Sequence, residues 1–170
     1  EQQAGQLKDP AAYQAAKGNY EQLKAAEQAG SPLTEEQQAA PQLADAPGAY
    51  LYEPDAAVMK SGAFKTLCSR FGVRALHPNS HLYTSEVWRP DFPGRGFAVE
   101  EVCGFSKHDL RRLRSLTDRA NLAVRNFPMR VPDLRKKLGL REGGDYYLFA
   151  TTLRRGEKAL IVTRKVAATV

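Results

Sequence analysis

The hydrophobic positions of this chain fall into two unequal blocks. Residues 1–49 are rich in Ala, Gln and Glu and nearly lack branched apolar side chains, whereas residues 50–170 carry nearly all of the Val, Ile and Phe and the single Trp. A polar segment of that kind cannot bury a core. Residues 1–30 are therefore expected to form a polar helical extension. Leu7, Tyr13, Tyr20 and Leu23 fall near heptad spacing, interrupted by Gly5, Pro10 and Gly18. Residues 31–48 read as a Pro/Gly/Ala linker holding a short helix at about 34–40, capped by Thr34 with Glu36 and Gln37 behind it.

The second block, of about 120 residues, has the length of a single domain. Val58, Met59, Ala63, Leu67 and Phe71 share one helical face after Pro54-Asp55, with Asp55 as cap and Gly72 as stop. Strands are predicted at 81–84 and 97–102, with 91–96 between them as a loop. Ser106 and Asp109 form a capping box for a helix to about Leu116, apolar at Leu110, Leu113 and Leu116. A strand at 121–127, a helix from Pro132 to Leu138 stopped by Gly139, and strands at 146–152 and 159–163 paired as a hairpin complete the order αββαβαββ. The fold class is α/β (α+β), with helices packed on a mixed β-sheet.

Charge changes the picture most. Residues 1–49 hold three lysines against seven carboxylates, a balance of −4. Residues 50–170 hold 22 Lys/Arg against 12 Asp/Glu, a balance of +10. Seven cations (Arg125, Arg130, Arg135, Lys136, Lys137, Arg141 and Arg154) surround one predicted βαβ unit that carries no catalytic signature. A basic scaffold without chemistry points to a polyanion-binding module. The candidate nucleic-acid-contacting set is Arg111, Arg112, Arg114, Arg119, Arg125, Arg130, Arg135, Lys136, Lys137 and Arg141, with only Asp109, Asp118, Asp133 and Glu142 as acids nearby. The bland alternative is a solvated cationic face.

The remaining chemistry is thin. No stretch of about 20 apolar residues could cross a membrane. No signal peptide is visible, and the start at Glu1 suggests a piece of a longer protein. Cys68 and Cys103 form no close pair, which fits free thiols in a reducing cytoplasm. His77 and His81 stand four apart, but Pro78 opposes the helical turn that would align them on a metal, so a structural turn leading into a strand is expected, with contact to a nucleic-acid phosphate as the alternative. Tyr50, Tyr52 and Trp88 read either as base-stacking groups or as packing. Arg125 reads either as a phosphate ligand or as the partner of Asp145. Neither Gly94-Arg-Gly96 nor Gly143-Gly144 opens a helix, so neither forms a cofactor-binding turn. No catalytic, cofactor-binding or metal-ligating residue is assigned.

Several separated segments, in order, carry a resemblance: Tyr50–Phe64, His77–Ser85, Asp91–Arg95, Val124–Pro128 and Gly143–Thr152. Over about 49–166 the chain resembles the C-terminal THUMP-like domain of a bacterial class I S-adenosylmethionine-dependent methyltransferase family. The resemblance implies a THUMP-like domain at 49–170. It also implies a parent in which a methyltransferase domain and a small ferredoxin-like domain come first, with S-adenosylmethionine held in the missing catalytic domain. RNA (tRNA or rRNA) is the implied partner. The chain itself is then not an enzyme but a substrate-presenting module, or alternatively a domain-packing or protein-interaction module of the same methyltransferase.

Overall fold

The computed structural model describes residues 17–18, 20–21 and 35–166. The Thr34 cap and most of the predicted 1–30 helix lie outside the described residues. Five helices and seven strands follow: α1 (Glu35–Gln38), β1 (Tyr50–Pro54), α2 (Ala56–Ser61), α3 (Phe64–Phe71), β2 (Arg74–Ala75), β3 (Tyr83–Ser85), β4 (Gly94–Cys103), α4 (Lys107–Leu116), β5 (Asn121–Arg125), α5 (Val131–Leu138), β6 (Tyr146–Thr152) and β7 (Lys158–Lys165). The strands form one mixed sheet in the order β2-β3-β1-β4-β7-β6-β5. Only β5 and β6 run parallel, as the crossover through α5 requires.

Local signals act where the sequence places them. Asp55 accepts a hydrogen bond from the Val58 N–H at 3.0 Å, and Ser106 with Asp109 closes a full capping box. Gly139 ends α5 in the left-handed conformation, φ 68°. Other expectations are corrected. The single helix predicted from Asp55 to Gly72 is two helices, because Gly62 (φ 70°) terminates the first. Met59 consequently stands 38% exposed instead of joining the core. Residues 94–96, predicted as loop, begin β4, and Tyr50–Pro54, given no element, is a strand buried on both sides. Its Pro54 sits at the strand's end, where the missing N–H costs no ladder bond. The two glycines of 94–96 serve packing. A Cβ at Gly94 would lie 2.1 Å from the Glu53 carbonyl oxygen, and one at Gly96 would lie 2.2 Å from the Trp88 ring.

The segment read as a linker is docked over its described part. Glu36 caps α3, accepting from the Lys65 and Thr66 N–H groups at 2.7 Å each. Residues 42–44 add to the β2 edge through Ala75 N–H to Gln42 O and Ala44 N–H to Ala75 O, and Ala44 is buried.

Alternation along the strands sorts the core into two faces. On one face Leu148, Ala150, Leu160 and Val162 meet Leu113 of α4 and Leu134 and Leu138 of α5. Further along the same side, Tyr52 and Tyr83 pack with Val58, Leu67 and Phe71 of α2 and α3. The other face, which none of these five helices covers, buries Leu51, Phe97, Phe149 and Ile161 completely, with Leu76 and Leu82. It does so by coiling. In a flat sheet β1 and β5, four strands apart, would be separated by about 19 Å. Yet Glu53 Oε2 of β1 lies 2.8 Å from Arg125 Nε of β5. The twist of the sheet thus curls its two ends toward each other around a second core.

Phe149 stands at the centre of that concave face, its ring centroid 5.1 Å from Phe97. Replacing Phe149 with Ala is expected to destabilise the chain by about 3–5 kcal/mol in urea unfolding. A cost under about 1 kcal/mol, at the small-change end for core substitutions, would contradict a closed concave core.

Candidate nucleic-acid interface

The ten predicted cations separate by geometry. Arg111, Arg112 and Arg114 lie on α4, and Arg130, Arg135, Lys136 and Lys137 lie at the start of or within α5. Both helices pack on the same sheet face, so these seven share one side of the molecule. Arg119 and Arg141 face each other across an isolated bridge below them. Arg125 is not part of that surface. It stands on the concave side, on the alternation that carries Ala123 into the concave core.

Seven of the ten have partners within the protein. Arg112 pairs with Glu101 at 2.6 Å. Arg114 donates to the Leu138 and Lys137 carbonyls, at 2.8 and 3.2 Å, and so caps the C-terminus of α5 where the helix dipole favours a cation. Arg135 donates to the Ala120 and Leu140 carbonyls and ties α5 to the sheet. Arg119 and Arg141 both pair with Asp118, and the Arg141 hydrogen bond, with the two guanidinium charges, holds that carboxyl below the ordinary aspartate range. Lys137 Nζ lies 5.8 Å from the Phe105 ring centroid. Arg111, Arg130 and Lys136 form no hydrogen bond or ion pair with a described residue and are exposed. Without Arg125, residues 106–141 carry ten Lys/Arg against three carboxylates, an excess of seven positive charges. The internal pairing therefore orients the surface without neutralising it.

A second arrangement lies at the seam where the sheet ends meet. Glu53, its side chain 14% exposed, holds Arg95 and Arg125, both at 2.8 Å. Arg125 thus pairs with Glu53 and not with Asp145, correcting the sequence expectation. The sequence signal for this was weak, since Glu53 and Arg125 are 72 residues apart. Beside the pair, Ser80 Oγ donates to Thr152 O at 2.8 Å, and Asn126 Nδ2 reaches His77 Nδ1 and Ser80 Oγ at 3.2 and 3.3 Å. His77 Nδ1 also accepts from the Asn79 N–H at 3.0 Å, so the His-Pro-Asn-Ser-His run is a turn. The His81 ring packs 4.1 Å from that of Phe64, and burial lowers the His81 pKa. Among the described residues no cluster of His, Cys, Asp or Glu could hold a metal ion.

The aromatic candidates pack. Tyr52 is fully buried, and Trp88 lies 5.4 and 5.5 Å from Tyr50 and Tyr52, filling the space over Gly96. Burial pushes both thiols, Cys68 and Cys103, up to about 11. Among the described residues no helix is long and apolar enough to cross a membrane.

If Glu53 joins the two ends of the sheet, Glu53→Gln should cost about 1–3 kcal/mol in urea unfolding, because two guanidinium groups lose their anion. A change below about 0.5 kcal/mol would class the pair with ordinary surface salt bridges.

Comparison with known proteins divides the folded block. Residues 50–93 match a ferredoxin-like domain family and residues 94–165 match the THUMP domain-like family. The ferredoxin-like segment, expected to precede this chain in a parent, lies within it. The boundary falls at the start of β4, whose residues pair with both β1 and β7, so the two segments share one continuous sheet. The chain also resembles the crystal structure of a "putative methyltransferase" from Porphyromonas gingivalis W83, with 43% sequence identity and a TM-score of 0.73 over 78% of this chain. It spans 33% of the length of that protein. None of the curated proteins matches the chain. Residues 94–165 are a THUMP-like domain, joined through β4 to a ferredoxin-like segment, and the two together resemble part of a protein described as a putative methyltransferase.

Proposed function

We propose that this chain is the RNA-binding, substrate-presenting part of an S-adenosylmethionine-dependent RNA methyltransferase, acting in the cytoplasm on tRNA or rRNA. The observation that carries the reading is the surface of α4 and α5. Residues 106–141 without Arg125 give it an excess of seven positive charges, with Arg111, Arg130 and Lys136 exposed and unpaired with any described residue. Phosphate binding depends on clustered cations that displace condensed counterions, and this surface supplies them on rigid helices. Arg114 and Arg135 act mainly by fixing α5 against α4 and the sheet. Arg112, Arg119, Arg141 and Lys137 add to the local field.

The methyl donor belongs to a catalytic domain outside these residues. Gly94 and Gly96 lie within β4, and Gly143-Gly144 leads into β6, so neither pair sits at a helix N-terminus where a nucleotide-type cofactor would be cradled. Under this reading the chain binds backbone phosphates, sets the RNA's orientation, and leaves the reaction to the other domain.

Internal pairing of seven of the ten cations favours a second reading, in which the same face docks other domains of the parent. One titration separates the two. Bulk tRNA should bind the chain with a steep loss of affinity between low and physiological salt, measured by fluorescence polarisation. The triple reversal Arg111→Glu, Arg130→Glu, Lys136→Glu should then flatten the log–log salt slope by about 2–3. Absence of tRNA binding at low salt, with the chain folded, overturns the RNA reading. Unchanged affinity in the triple variant moves the contact to another surface.

A further inference from the structure

The seam between the two ends of the sheet encloses a cleft of about 370 Å³, a size in the range of small-molecule sites. Pro54, Met59 and Val124 supply its apolar wall, and Asn79, Arg125 and Asn126 supply polar groups. Three features mark it as more than a gap between packed segments. First, the only two non-glycine residues with positive φ among the described residues, His81 (φ 54°) and Asn126 (φ 55°), both line it. Such conformations persist where surrounding contacts enforce them and recur at ligand sites. Second, its polar groups have unused capacity. The Asn79 side chain and the side-chain oxygen Oδ1 of Asn126 bond to no described residue, the Asn126 backbone carbonyl being taken by the Thr152 hydroxyl. Third, Met59 is 38% exposed at the wall, next to Val58, the one residue of its helix that is buried.

We propose that this cleft takes a single unpaired nucleotide. A heteroaromatic base is the ligand whose faces suit a polarisable thioether and a proline ring, and whose edge suits amide side chains that both donate and accept. Its phosphate would lie toward Arg125, half-exposed and already oriented by Glu53. The inference rests on the RNA-binding reading above, and it adds a place for one base on the concave side, away from the α4–α5 surface. The nucleotide could come from an RNA strand or be a free mononucleotide.

The chain contains two methionines, and they stand in the right places to test this. Met59 lines the cleft, while Met129 packs beside the α4–α5 core. In the full chain labelled with 13C-methyl methionine, a single-stranded RNA dodecamer should shift the Met59 methyl resonance saturably. A blunt RNA duplex should bind by polarisation and leave Met59 unmoved. Adenosine and uridine 5′-monophosphates form the second arm: a saturable Met59 shift assigns the site to free nucleotides as well as strands, and a shift with the dodecamer alone assigns it to strands. Asn79→Ala, at an exposed position, should weaken the Met59 response about tenfold and leave duplex affinity unchanged. A stationary Met59 with every ligand, while the duplex still binds, overturns the cleft proposal and leaves the basic surface standing. A Met59 shift with mononucleotides in a chain that binds no RNA overturns the RNA reading and keeps the cleft.

Discussion

The structure depends on the coiling of its sheet. A seven-stranded sheet with helices on one side leaves the other side open to water, and here that side carries Leu51, Phe97, Phe149 and Ile161, all fully buried. Among the described residues 35–166 no second helical layer covers them. Twist brings β1 and the 76–82 segment over toward β5 and β6, and the concave side closes on itself. Glu53 fixes the closed state by holding Arg95 from its neighbouring strand and Arg125 from the far edge. Because the carboxylate is mostly buried, its loss would leave two cations without their anion, so the pair specifies the closed arrangement as much as it stabilises it.

Closure also explains why two segments matched to different families behave as one body. β4 pairs with β1 through its first half and with β7 through its second, with a register shift between Val99 and Glu101. Such an irregularity increases local twist, within the strand that joins the ferredoxin-like part to the rest of the THUMP-like part. The helices α4 and α5 are left outside the curve. Their apolar stripes are committed to the sheet through Leu113, Leu134 and Leu138, which leaves the cationic stripe facing outward.

Much of this was legible in the sequence, and the failures have physical causes. Caps and stops were read correctly at Asp55, Ser106, Asp109 and Gly139, because a cap is a local interaction between residues three or four apart. The parallel β5–β6 pair and the β6–β7 hairpin followed from periodicity and from turn residues. The break at Gly62 was missed because a glycine within an amphipathic pattern is tolerated as often as it terminates, and the choice is made by packing. β1 was missed because Pro54 masks a short buried strand whose partners lie 31 to 48 residues away. The cationic set was visible as composition, but its division into three unpaired groups and seven tethered ones was not. Arg114 and Arg135 meet carbonyls that only the packing of α4, α5 and the sheet brings within reach. Glu53 and Arg125 likewise become partners only when the sheet coils.

The central claim is that RNA phosphates lie on α4 and α5. Lysine acetylation footprinting of the full chain with and without a blunt RNA duplex tests it most directly, since exposed lysines lie on and off that surface. The account predicts that duplex RNA protects Lys107, Lys136 and Lys137 while Lys158 and Lys165 of β7 keep their reactivity. Protection confined to β7, or none anywhere under conditions where the duplex is bound, would contradict it.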